Sequence, residues 1–164
     1  MAKCSTFDLD VEPNGDDYHG LLRVGAQACK SFGFVIRPGE ALLDSATDLL
    51  KTLTPFSISD EMMSEWPGTR LLGPNDEARV LRYELNETSL GILAAAADRL
   101  YAWEHPRLPE DVFLERDSMP WLTSIAHERA AFIAITPEEA SALRSSVPSL
   151  ALTVRLLNSG GVPE

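Results

Sequence analysis

Ser124, His127 and Glu128 lie within five residues of one another, with Trp121 just ahead of them. A hydroxyl, an imidazole and a carboxylate are the groups of nucleophilic catalysis. That chemistry needs the hydroxyl within hydrogen-bond reach of the ring and the ring oriented by the acid. The spacing speaks against a local version. Residues 121–127 have the composition of a β-strand, in which successive side chains point to opposite faces. Trp121, Thr123, Ile125 and His127 then share one face, and Leu122, Ser124, Ala126 and Glu128 share the other. Ser124 and His127 point apart, and no G-x-S-x-G elbow surrounds the serine. What survives is a set of contact residues at a strand end: Trp121, His127 and Glu128.

Arg82 joins them as a fourth candidate. In the predicted strand from Ala78 to Leu85, Val80, Arg82 and Glu84 point one way, and Arg79, Leu81, Tyr83 and Leu85 the other. An arginine on a strand face can line a binding surface, or can pair with a carboxylate across the sheet. Metal and cofactor motifs are missing. His19, His105 and His127 include no pair at the i+2 to i+4 spacing that starts a zinc site, so only a site assembled from distant residues stays open. Neither phosphate-binding glycine pattern, G-x-x-x-x-G-K-[ST] nor G-x-G-x-x-G, occurs. Of the paired carboxylates Asp16-Asp17, Asp60-Glu61, Asp76-Glu77, Glu110-Asp111 and Glu138-Glu139, nearly all fall at predicted helix starts or turns, where capping and solvation account for them. No catalytic residue, metal ligand or cofactor is assigned. Cys4 and Cys29 lack a C-x-x-C spacing and are expected to be free thiols.

The elements that position these residues follow from periodicity. Tyr18, Leu21, Leu22, Gly25, Ala28, Cys29 and Phe32 have the spacing of an amphipathic helix, which Gly33 would stop. Phe34 to Ile36 reads as a strand, and residues 40–53 as a second helix. Ser59 to Met62 looks like a capped helical turn, and Thr69–Leu72 with Ala78–Leu85 like a hairpin. Asn86 caps a helix predicted to run to Glu104. Strands follow at 112–114, 121–127 and 130–135. Thr136, Pro137 and Glu139 start a last helix, because Thr caps it, Pro suits the first helical position and Glu closes the box. A final strand is expected within 150–157. Phe7, Leu9 and Val11 alternate like a short edge strand, although residues 1–16 and 158–164 also read as flexible tails.

The expectation is one α+β domain spanning 1–164, with a mainly antiparallel sheet of about five strands and three to four packed helices. The order of elements lacks the regular alternation of a doubly wound sheet.

Charge narrows the function classes. Twenty-five acidic against fourteen basic residues give a net charge of −11. That opposes binding to nucleic acid or to an anionic membrane, and suits a basic protein partner. The longest uncharged run, 88–97, is too short to cross a bilayer, and the N-terminal residues lack the basic start and apolar core of a signal peptide. A cytoplasmic, non-catalytic binding protein is therefore expected, an adaptor or an antidote that masks a basic partner. Small acidic bacterial immunity proteins share this general composition, without a common motif. The competing expectation is a small-ligand binder or enzyme whose site is assembled across the sheet around His127 and Arg82.

Overall fold

The computed structural model describes residues 3–154. Its ten strands are β1 (Ser5–Leu9), β2 (Ser31–Ile36), β3 (Ser57–Met63), β4 (Glu65–Trp66), β5 (Thr69–Arg70), β6 (Ala78–Glu84), β7 (Glu110–Arg116), β8 (Met119–Ile125), β9 (Ala130–Ile135) and β10 (Leu152–Val154). Four helices accompany them: α1 (Asp16–Ala28), α2 (Asp44–Leu53), α3 (Glu87–Ala96) and α4 (Pro137–Ser146). Eight strands form one antiparallel sheet in the order β10-β1-β9-β8-β7-β2-β6-β3, and β4 pairs with β5 alone. The chain is α+β as expected, but its sheet has eight strands, not about five.

Apolar residues of all four helices, among them Leu21, Leu49, Leu93 and Leu143, share one cluster with Phe32, Phe34, Leu81, Leu114 and Ile133 of the sheet. The helices thus cover one face. A smaller cluster of Val35, Trp66, Ala78, Val80 and Phe113 lies on the other, under the β4–β5 hairpin.

Several elements differ from their sequence reading, each for a physical reason. α1 stops at Ala28, and Phe32 and Gly33 belong to β2, where they face Tyr83 and Arg82 of β6. Pairing on both sides of β2 outweighs the helical spacing. Ser57–Met63 is a strand and not a helical turn. It lies at the sheet edge with both faces largely exposed, so it needs no apolar alternation. Consequently β6 pairs with β3 and β2, while Thr69–Arg70 pairs with Glu65–Trp66. α2 begins at Asp44.

α3 has its predicted cap, with Asn86 and Ser89 bonding each other's backbone amides, but it ends at Ala96. The segment 13–15 draws the chain away from the helix: the Gly15 amide donates to Asp98 and the Leu100 amide to Pro13. These bonds override the helix propensity of the alanine run. β1 is no edge strand or loose arm. It pairs with β9 on one side and β10 on the other, and Leu9 is buried. The predicted tail 158–164, and the end of the predicted last strand, lie outside the described residues.

Candidate functional site

Arg82 occupies the sheet face away from the helices, and its surroundings are built by a glycine. Gly33 of β2 pairs with both Arg82 and Phe113. A Cβ at Gly33 would lie 2.4 Å from the Phe113 ring and 2.4 Å from the Leu81 carbonyl oxygen. The missing side chain lets the Phe113 ring lie across the strand. The Arg82 guanidinium then stacks over that ring at 5.3 Å, a favourable contact with the π-face. Its Nε and one terminal nitrogen donate to the Glu115 carboxylate at 3.1 and 3.2 Å. Glu115 is 6% exposed and Arg82 21%.

A second arginine repeats the arrangement. Arg37, just past β2, stacks over Trp66 at 5.3 Å, and its Nε donates to Glu110 at 2.5 Å. Its backbone amide donates to Nε2 of His105 at 3.1 Å. Nε2 is therefore the unprotonated ring nitrogen, and the proton sits on Nδ1, which is buried without a partner.

Glu40, His105 and Glu110 bring three donor atoms within 4.8 Å of one another, the assembly from distant residues that sequence could not exclude. Their partners do not suit a cation. The Nε2 lone pair is engaged by the Arg37 amide, and Glu110 already neutralises the Arg37 guanidinium. A metal-bound histidine also fixes its ring by donating its other N–H, and Nδ1 has no acceptor. Arg37, His105 and Glu110 form a hydrogen-bonded network that ties the end of β2 to the 105–110 segment, with Glu40 3.8 Å from the ring and outside it.

Beside it lies Asp111, fully buried, with a backbone φ of 57°. Burial pushes its carboxyl above the usual carboxylate range, opposed by the hydrogen bond it accepts from the Ala126 amide. Its Oδ2 and the Trp66 Nε1 are both buried and neither makes a hydrogen bond of ordinary geometry. The indole is nonetheless close enough to favour the charged carboxylate.

The other sequence candidates go elsewhere. Trp121 does not share a face with Thr123 and Ile125. Leu114 pairs with Leu122 and Glu115 with Pro120, so Trp121 is the extra residue of a bulge. It turns to the helix side, 1% exposed, packs against Gly25 of α1 and donates from Nε1 to Glu139 of α4. His127 follows β8 in a short 3₁₀ turn, Ala126–Glu128, and not in the strand. His127 and Glu128 are 48% and 61% exposed and approach only to 3.7 Å. Ser124 is buried and donates to the Val112 carbonyl. Arg82 sits on β6, with β2 and β7 between it and β8. The four candidates do not converge.

Two features had no signal in the sequence reading. One is a cleft of about 1100 Å³ between α1, α3 and the segment 98–108, lined by His19, Ala94, Ala95, Tyr101, His105 and Arg107. His19 crosses it to the Ala94 carbonyl at 3.1 Å. The other is β3 at the end of the sheet, with Ile58 and Met62 59% and 52% exposed. Asp60 on β3 forms a two-point ion pair with Arg79 at 2.7 and 2.6 Å, and those hydrogen bonds hold the Asp60 carboxyl below its usual range. No helix among the described residues is long and apolar enough to cross a membrane. No protein-family model, curated protein or solved structure matches the chain.

Proposed function

We propose that this chain is a non-catalytic cytoplasmic binding protein that docks on a basic protein and masks it, as an adaptor or an antidote does. One observation carries the reading: the segment around the free sheet edge is strongly acidic. Between residues 57 and 77, Asp60, Glu61, Glu65, Asp76 and Glu77 are all exposed, against one basic side chain, Arg70. An acidic patch of this kind attracts a basic partner at long range and disfavours acidic competitors.

Arg82, the arginine singled out in the sequence, is engaged internally by Glu115, and Arg37 is engaged by Glu110. That supports a recognition surface dominated by carboxylates. The test is co-purification with the tagged chain from its source at low salt. A stoichiometric basic protein, released as salt rises through the range where the Debye length falls below about 10 Å, is the expected result. Association that ignores salt, or none at all, refutes the reading.

A second reading rests on the cleft beside α3. Its volume of about 1100 Å³ lies just above the usual range of small-molecule sites, and favours a ligand binder there and not around His127 and Arg82. A metabolite that raises the melting temperature of the chain, and loses that effect in Ala95→Trp, would establish it.

A further inference from the structure

We infer that the partner adds an extended, basic segment as a ninth strand alongside β3. The inference rests on the masking reading and gives that reading a docking mode. Among the described residues, no strand pairs with the outer edge of β3. Its seven residues therefore present a row of backbone donors and acceptors to solvent.

Natural sheets blunt such an edge with charged side chains, lysine above all, with proline, bulges or very short strands; on β3 that part falls to Asp60 and Glu61. β3 contains neither lysine nor proline. Its only irregularity is the register shift between Ser57 and Ser59 at one end, which leaves Asp60 to Met63 in regular pairing with β6. Exposed apolar side chains flank the edge at Ile58 and Met62. A strand added here gains main-chain hydrogen bonds for affinity, while its alternate side chains meet the flanking residues for specificity.

Charge selects the occupant. A second copy of β3 would bring Asp60 and Glu61 against acidic counterparts, and like charges facing across strands are unfavourable. Asp60 is already paired with Arg79, so Glu61 is the carboxylate left on β3 for incoming cations. The segment that fits alternates lysine or arginine with apolar residues. The same carboxylates that keep copies of this chain apart admit a basic strand.

The probe is a synthetic peptide alternating lysine and valine, matched to β3 in length, with a control carrying proline at its centre. Hydrogen exchange of the intact chain is followed with and without peptide. Slowing confined to residues 57–63, absent with the control and weakened about tenfold by Met62→Lys or Glu61→Lys, is the expected result. These residues are exposed, so the substitutions leave the fold intact.

Equal binding of peptide and control, or indifference to both substitutions, overturns the docking mode. Salt-sensitive binding with protection elsewhere, for example along α1 and α3, also overturns it while leaving the masking reading standing. No binding of the peptide at low salt, together with no binding of polylysine, overturns both.

Discussion

If Arg82 is a structural cation, not a ligand-binding one, its pairing with Glu115 must carry a measurable coupling energy. The perturbation is Arg82→Met and Glu115→Gln, made singly and together. Removing one partner of a buried pair costs about 3–5 kcal/mol, whereas an exposed pair is worth about 0–1 kcal/mol. Glu115 is 6% exposed and Arg82 21%, so the two single losses differ. Arg82→Met strands a buried carboxylate with only Ser31 nearby, at 3.5 Å. It is expected to cost about 3 kcal/mol, near the lower end of the buried range. Glu115→Gln leaves a guanidinium that reaches solvent and keeps its stacking on Phe113, so about 2 kcal/mol is expected.

The double variant removes both charges and should lose about 3 kcal/mol, not 5, a coupling of about 2 kcal/mol. Urea unfolding reads this directly. With a denaturant slope of about 2 kcal/mol per molar, Arg82→Met moves the midpoint by about 1.5 M. A coupling below about 0.5 kcal/mol, the level of exposed pairs, would refute the argument and return Arg82 to the list of free binding groups.

Other outcomes follow from single sites. Gly33→Ala places a methyl group 2.4 Å from the Leu81 carbonyl oxygen and the Phe113 ring; a loss of at least about 1–3 kcal/mol in urea unfolding is expected. Asp111 ionises less readily in the fold than its usual value of 3.8. Wild-type stability should therefore fall as pH rises from that value through the raised pKa, and Asp111→Asn should flatten that part of the melting profile. His127→Ala, at an exposed turn, should change stability by no more than about 0.5 kcal/mol in the same assay. Burial pushes the Cys29 thiol up to about 12, whereas Cys4 is exposed; a thiol reagent should titrate one group in the native chain and two in denaturant.

Features governed by local sequence were legible. Thr136, Pro137 and Glu139 read as a helix start because the cap closes within four residues, and both of its reciprocal bonds are present. Asn86 was legible for the same reason, and Ala130–Ile135 because its apolar run is bounded by a turn and a cap. What failed depended on distant partners. β3 carries no strand pattern of its own and exists because β6 offers an edge. The end of α3 is set by bonds to residues 13–15. Trp121 is the sharpest case. Strict alternation put it on the binding face, and one bulge opposite Glu115 moved it into the core. A period of two has no tolerance for a single inserted residue, so faces assigned on one side of a bulge no longer match those on the other.

The docking surface we propose lies away from the side chains that stand out in the sequence. Arg82 and Trp121 drew attention as contact groups, yet the fold uses both internally. Arg37 lies over Trp66, Arg82 over Phe113, and each guanidinium is held by a buried carboxylate. A guanidinium bound at two points and stacked on a ring has few donors left for a ligand, and Arg82 spends a further one on the Met63 sulfur. Two of the acidic residues, Glu110 and Glu115, are likewise consumed inside. Asp60 is held by Arg79, which leaves Glu61, Asp76 and Glu77 as exposed carboxylates beside the one long strand edge that nothing in the described chain closes. On the proposed masking reading, recognition falls to backbone and charge at β3, while Arg37, Arg82 and their carboxylates tie the strands behind it together.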